Sequence, residues 1–176
     1  MKKILVITLA VVLLLGVIIV AKSIGAYNSI IASEENVRTA WAQVENTYQR
    51  RYDLIPNLVA TVQAEADFEK STLTEIIDAR SRLGGTVKVD ENLLGDEAAM
   101  KRFQESQATL GSALQRLMMV TENYPNLKSN QSFQDLRVQL EGAENRIAVE
   151  RKRYNETVRD FNTYIRQFPN NLIAGF

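Results

Sequence analysis

The sequence predicts an all-α protein in which an N-terminal transmembrane helix is followed by an antiparallel up-and-down four-helix bundle. Three observations lead to this prediction. Residues 4–21 form one unbroken apolar run. The rest of the chain repeats apolar residues at the three- and four-residue steps of amphipathic helices. No segment alternates apolar and polar residues as a half-buried strand would.

The apolar run, ILVITLAVVLLLGVIIVA, is long enough to cross a bilayer. Its 18 residues would extend about 27 Å as a helix, close to the hydrocarbon thickness. Lys2 and Lys3 precede it and only Lys22 closely follows, which favours a cytoplasmic N-terminus with the main domain outside. A cleaved signal peptide is the alternative, but its apolar region usually has about 7–15 residues. We therefore predict an uncleaved, single-pass anchor in the cytoplasmic (inner) membrane.

Composition divides the chain into four parts: a cytoplasmic N-terminus at 1–3, the anchor at 4–22, the bundle at 23–170 and an apolar tail at 171–176. The bundle has the size of one ordinary domain. The tail is expected to pack on the bundle or, in falling order, to touch the membrane or bind a partner. If the first helix leads away from the membrane, the fourth returns and brings the C-terminus close to lipid.

The composition also excludes several classes of function. The chain has 21 basic and 21 acidic residues, and without Lys2, Lys3 and Lys22 the balance is 18 to 21. This mild acidity argues against nucleic-acid binding. Cysteine and histidine are absent, which removes thiol chemistry and the Glu-x-x-His motifs of di-iron bundles. We therefore predict no enzyme activity, catalytic residue, metal or cofactor.

The first two bundle helices are predicted to meet at a proline. The first spans roughly residues 27–53 and the second roughly 57–83, with Pro56 between them. Since proline removes a helical hydrogen bond but suits a first helical turn, we predict a tight reversal over residues 52–56. One helix that continues through Pro56 is the alternative.

The third and fourth helices follow an apolar loop at residues 84–95. Asp96 is predicted to cap the third helix, which ends before Pro125. Ser132 and Asp135 resemble a capping box for the fourth helix, which ends before Pro169. The apolar stripes of the first, third and fourth helices are Val37, Trp41, Val44 and Tyr48; Phe103, Leu110, Leu114, Leu117 and Tyr124; and Phe133, Leu136, Leu140, Ala143, Ile147, Tyr154, Val158, Phe161, Ile165 and Phe168.

Polar residues around the predicted reversal form a candidate docking patch of Arg50, Arg51, Asp53 and Asn57. One hypothesis is that this patch binds a protein partner. The other is structural: Asp53 accepts hydrogen bonds from free amides at the reversal, and the arginines bind the last carbonyls of the first helix.

A second polar group, predicted at the bundle interior, consists of Arg80, Glu144, Arg151 and Asn155. The last three share a helix face close to the apolar stripe, and Arg80 occupies a stripe position. An ion pair of Glu144 with Arg80 or Arg151 would fix helix register more than it would add stability. The alternatives are arginine stems that cover apolar surface with their charges in water, and a small-ligand site in the bundle.

Several unusual strings in the chain resemble the LemA family. They are YN at 27–28, AWAQVEN at 40–46, QRRYDLIPNLV at 49–59, YPNLKSNQSFQDL at 124–136, ENRIAVERKRYN at 144–155 and VRDFNTYIRQFP at 158–169. The resemblance covers nearly the whole chain, including the N-terminal membrane segment. It implies a membrane-anchored four-helix bundle of the bacterial envelope without an established catalytic activity. Relatives are associated with magnetosome membranes or with genes for membrane proteases and envelope-stress proteins.

Two functions fit these features. The first is a membrane-anchored interaction or scaffold module, linked to envelope stress or membrane proteolysis. The second is a self-assembling or membrane-organising coat, which the acidity of the domain disfavours because a lipid-facing coat needs basic or apolar surface. A bundle that binds a small ligand ranks third. The expected partners are membrane lipid through residues 4–21 and envelope proteins; homo-oligomers are compatible with the sequence, and nucleic acid is not expected.

Overall fold

The computed structural model describes residues 2–65, 68–83 and 96–175. Within these ranges all regular secondary structure is helical, which confirms the predicted all-α class. The helices are α1 (Lys2–Gln63), α2 (Lys70–Leu83), α3 (Glu97–Thr121), α4 (Pro125–Ser129), α5 (Gln131–Arg166) and α6 (Asn170–Ile173). The predicted apolar loop at 84–95 lies outside the described residues.

α1 is a single helix of 62 residues that contains Pro56. The reversal predicted at residues 52–56 is therefore wrong, since the helix ends only at Gln63. Pro56 is exposed, whereas Ile55 and Leu58 are completely buried. An interior proline costs about 3 kcal/mol, and burial of each such apolar side chain contributes about 1.5–3 kcal/mol. The free energy gained by burial of these side chains is thus large enough to offset the cost of a proline inside the helix.

The described residues form two compact units. We call Gln43–Glu150 the core unit, and the residues up to Ala42 together with those from Arg151 onward the anchor unit. α1 and α5 each contribute residues to both units.

The core unit has one hydrophobic core, to which parts of α1, α2, α3 and α5 and the short α4 contribute. This arrangement is compatible with the predicted four-helix bundle. Residues from the predicted stripes are buried, as expected from helical periodicity. Buried side chains of this core include Ile55, Leu58, Val62, Leu73, Ile76, Leu83, Leu110, Leu114, Leu117, Leu127, Phe133 and Leu140.

Side chains cap the starts of α3 and α5 in the core unit. Asp96 accepts a hydrogen bond from the Ala99 amide at 3.0 Å, which confirms the predicted cap of α3. At α5, Asn130 Oδ1 accepts from the Phe133 amide at 3.2 Å. The predicted capping box of Ser132 and Asp135 is therefore wrong, because Asn130 already occupies the capping position one residue before the helix.

The anchor unit contains the apolar part of α1. Its large apolar side chains between Ile4 and Val20 are 46–69% exposed. Among the described residues, α1 is the one helix with a stretch long and apolar enough to cross a membrane, and none of that stretch is buried. Farther along, Trp41 contacts Tyr154 of α5 edge-on, with ring centroids 5.2 Å apart.

Candidate functional site

A buried arginine lies at the centre of the candidate site. Arg51 of α1 is only 3% exposed. Its Nη1 donates to Glu144 Oε1 of α5 at 2.6 Å, and its Nη2 donates to the Gln107 carbonyl of α3 at 3.2 Å. The Gln107 side-chain oxygen accepts from the same Nη2. These three residues, the Arg51 cluster, connect three helices of the core unit.

Arg51 is buried because it occupies a stripe position of α1, three residues after the buried Tyr48. Gln107 has the equivalent position on α3, between the buried Phe103 and Leu110. A charge in such a place requires pairing and hydrogen bonds, since removal of an ion from water costs several kcal/mol. The carboxylate, carbonyl and amide oxygens of the cluster supply them.

Aromatic rings complete the surroundings of the cluster. The Arg51 guanidinium carbon is 5.3 Å from the centroid of the Tyr48 ring, a distance at which cation–π attraction contributes about 0.5–2 kcal/mol. Phe103 in turn contacts Tyr48 edge-on, with centroids 5.4 Å apart. Arg51 Nε is buried without a hydrogen-bond partner. The guanidinium is therefore held by its two terminal nitrogens and by the ring.

A cleft of about 320 Å³ lies beside the Arg51 cluster. Its lining comes from α3 and α5, with Gly111, Leu114, Gln115, Met118, Leu140, Glu141, Glu144 and Asn145. Gly111 connects the cleft to the cluster, because a Cβ at this position would lie 3.5 Å from Arg51 Nη1. The volume is at the lower end of the range of about 300–1,000 Å³ for ligand pockets.

The chemistry of the cleft is amphipathic. Leu114 and Leu140 are buried and form an apolar floor, while Gln115, Glu141 and Asn145 are exposed at the rim. Glu141 is already paired with Arg137, at 2.9 Å. The cleft can therefore receive one apolar side chain and accept hydrogen bonds around it, and its carboxylates are neutralised by arginines.

The predicted internal network differs from the observed contacts. Glu144 pairs with Arg51, so the predicted pairing with Arg80 or Arg151 is wrong. Arg80 instead lies over the Tyr52 ring, 4.2 Å from its centroid, with Nε buried and unpartnered. Arg151 and Asn155 are exposed.

Burial separates Arg51 from the other three residues of the predicted docking patch. Arg50, Asp53 and Asn57 are exposed on α1, and their spacing of three and four residues places them on one face. Arg51 is buried and does not belong to that surface. Asp53 accepts from Gln49 Nε2 at 2.7 Å within a continuous helix, so the proposed role as a cap at a reversal is wrong. A docking role of the exposed three residues stays a prediction.

The pKa values of Glu122 and Tyr154 are shifted by their surroundings. A hydrogen bond from Lys128 and its positive charge lower the pKa of the exposed Glu122 carboxyl. Partial burial raises the pKa of the Tyr154 hydroxyl. Within residues 2–65, 68–83 and 96–175, no group of three or more acidic side chains is arranged to hold a metal ion.

Comparison with known proteins gives one family. The sequence model of the LemA family matches residues 40–176, a range that includes the Arg51 cluster and the cleft. Magnetosome protein MamQ 1 of Paramagnetospirillum magneticum is 29% identical over 167 residues, which cover 84% of this chain and 60% of the relative. MamQ of Magnetospirillum gryphiswaldense is 28% identical over 163 residues, with the same coverage.

A protein named LemA, from Metamycoplasma hominis, is 22% identical over 151 residues, or 86% of this chain and 64% of that protein. The chain thus spans less than two thirds of the length of each of these relatives.

Proposed function

The chain belongs to the LemA family, and on this premise we propose that it is a non-enzymatic, membrane-anchored interaction module. Residues 4–21 anchor the chain by a single pass in the cytoplasmic membrane, and the core unit binds a protein partner on the extracytoplasmic side. One observation carries the proposal: the apolar stretch of α1 is exposed throughout, although the same helix contributes to a buried core farther along. An exposed apolar stretch of this length fits lipid and is unfavourable in water.

The relatives support a role at a membrane, since three of them are named as magnetosome proteins. A link to envelope stress or membrane proteolysis rests on the resemblance of the sequence to the family. This link is the more specific part of the proposal, and identification of the partner protein by crosslinking tests it.

We place partner binding at the cleft between α3 and α5. The apolar floor at Leu114 and Leu140 suits an aliphatic or aromatic side chain, and buried apolar anchors of this kind supply most of the affinity of protein interfaces. The rim residues Gln115 and Asn145 offer hydrogen bonds that orient the apolar side chain of the partner in the cleft. The exposed face of α1 with Arg50, Asp53 and Asn57 is the alternative docking surface.

In-cell crosslinking of the full-length protein, followed by mass spectrometry, tests this proposal. One variant carries Gln115→Arg and Asn145→Arg, which place long side chains over the cleft at exposed positions. A matched variant carries Arg50→Gln and Asn57→Ser on the exposed face of α1. Both sets of substitutions change exposed residues, so unchanged melting temperatures are expected.

We expect a specific envelope protein that the cleft variant loses and the α1 variant keeps. The opposite pattern would move the docking surface to α1. Capture of only further copies of the chain, unaffected by the cleft substitutions, would contradict the interaction module and support the self-assembling coat.

A further inference from the structure

In the anchor unit, α5 runs back along α1 toward the apolar run. Trp41 of α1 contacts Tyr154 of α5, with ring centroids 5.2 Å apart. Residues after Tyr154 group with the part of α1 that precedes this contact, so the two helices are antiparallel here. Each residue that α5 advances beyond Tyr154 therefore corresponds to one residue that α1 steps back from Trp41.

This register brings the C-terminal segment close to the end of the apolar run. α5 ends at Arg166, 12 residues after Tyr154, and the position 12 residues before Trp41 is Ser29; Phe168 follows two residues after Arg166, near the level of Tyr27. Tyr27 is six residues beyond Ala21, the last residue of the run, or about 9 Å along the helix axis. The headgroup region of each leaflet extends about 5–8 Å beyond the hydrocarbon core. Side chains at this level are therefore within reach of the headgroups.

Large side chains at this level, and in the short α6 that follows, are apolar and exposed. Phe168 is 80% exposed and Leu172 59%, while Tyr27 and Ile24 of α1 are 55% and 57% exposed. Between the first two, Asn170 is buried, and its Nδ2 donates to the Tyr164 carbonyl at 3.1 Å. Asn170 thus connects the segment to α5, while Phe168 and Leu172 stay exposed. Aromatic rings in this setting favour a membrane–water interface.

The charge at this level suits anionic lipid. Within residues 22–33 and 161–175 the charged residues are Lys22 and Arg166, both basic. The first acidic residues, Glu34 on α1 and Asp160 on α5, lie farther from the apolar run. Basic residues near an anionic leaflet strengthen membrane binding.

We propose that the chain contacts the bilayer at a second place, where Phe168 and Leu172 insert into the headgroup region of an anionic leaflet beside the anchor. This inference rests on the proposed function, because it requires residues 4–21 to span the bilayer. Contact at two places would hold the anchor unit in one orientation to the membrane surface, which a single helix does not do.

Lipid-dependent quenching of single labels tests the proposal. The chain contains no cysteine, so Phe168→Cys and Leu172→Cys can each carry one fluorophore in the full-length protein. The labelled protein is reconstituted into vesicles of phosphatidylcholine and phosphatidylglycerol that contain a lipid with a nitroxide at the headgroup. Two matched positions are labelled in the same way: Ile18→Cys in the apolar run, read with an acyl-chain nitroxide, and Met119→Cys, an exposed apolar position of the core unit.

We expect loss of most of the emission at residues 168, 172 and 18 and unchanged emission at residue 119. Quenching at residue 18 without quenching at residues 168 and 172 would overturn this inference and leave the anchor intact. No quenching at residue 18 would overturn the anchor itself. If anionic headgroups are the ligand, quenching at residue 168 should be weaker in vesicles of phosphatidylcholine alone than in vesicles that also contain phosphatidylglycerol. Equal quenching in both kinds of vesicle would contradict a preference for anionic lipid.

Discussion

Arg51 is a charged residue whose neighbours on the same face of α1 are apolar. Its ion pair and hydrogen bonds determine whether the core unit tolerates the buried charge. The Arg51 side chain is 3% exposed and that of Glu144 46% exposed, so the ion pair extends from the core to the surface. Pairs of this kind specify an arrangement more reliably than they add stability. We therefore assign the Arg51 cluster to the register of α1, α3 and α5.

Glu144→Gln is expected to destabilise the core unit. The substitution removes the carboxylate and leaves the buried Arg51 charge with neutral acceptors only, which should lower the free energy of unfolding by about 1–3 kcal/mol. Chemical denaturation in detergent measures it. Glu141→Gln is the matched control, because Glu141 belongs to an exposed i,i+4 pair with Arg137 worth at most about 0.5 kcal/mol. Equal losses in both variants would contradict the role given to Arg51.

Tyr154 is expected to make the stability of the anchor unit sensitive to alkaline pH. Burial raises the pKa of its hydroxyl above the ordinary value of 10.0, so ionisation favours the unfolded chain. The stability contributed by the neutral ring is complete below pH 10 and is lost as the pH rises through the raised pKa. Tyr154→Phe does not ionise and should keep more of its melting temperature at high pH.

The fluorescence of Trp41, the single tryptophan of the chain, reports unfolding beside this ring. Tyr27→Phe serves as control because Tyr27 is 55% exposed and should leave the alkaline loss unchanged. If Tyr154→Phe loses as much stability as the unmodified protein between neutral and alkaline pH, burial of Tyr154 is not the cause.

Among the helices, α1 differs most from the sequence prediction, because it continues through Pro56. Substitution of this proline tests whether the helix is continuous. Pro56→Ala restores an amide in the helix interior and should stabilise the protein by about 1–3 kcal/mol, since proline costs about 3 kcal/mol there. Pro125→Ala is the control, because Pro125 begins α4, where proline is favoured. Thermal unfolding compares the two. A loss of stability in Pro56→Ala would indicate that the chain turns at this proline.

Helix faces could be predicted from the sequence because amphipathic periodicity depends on neighbours a few residues apart. Trp41, Leu110 and Leu140 are buried as their spacing indicates. The course of the chain at Pro56 could not be predicted in this way. The local cost of proline is visible in a short window, whereas the burial of Ile55 and Leu58 that offsets it depends on helices distant in sequence.

The incorrect prediction of a helix end near residue 53 also explains why most of the candidate site was not predicted. In a helix that ends near residue 53, Arg51 falls in the last turn, where arginines bind free carbonyls. In a continuous helix it follows Val44 and Tyr48 at steps of four and three, which is a core position. Gln107 could have been found by the same spacing on α3. The pairing of Arg51 with Glu144 spans 93 residues and depends on tertiary register, which no local pattern contains.

For the whole molecule, the anchored-module hypothesis requires the two ends of the apolar run to lie on opposite sides of a membrane. Lys3 precedes the run, and the exposed Lys128 lies in α4 of the core unit. Because the chain has no cysteine, Lys3→Cys and Lys128→Cys each create a single reactive thiol.

The most direct measurement is the reaction of these two variants with a membrane-impermeant maleimide in bacterial spheroplasts, before and after permeabilisation. We expect Lys128→Cys to react in intact spheroplasts and Lys3→Cys to react only after permeabilisation. The reverse pattern would place the core unit in the cytoplasm. Equal reactivity of both thiols before permeabilisation would contradict a membrane-spanning anchor, and with it the proposed function.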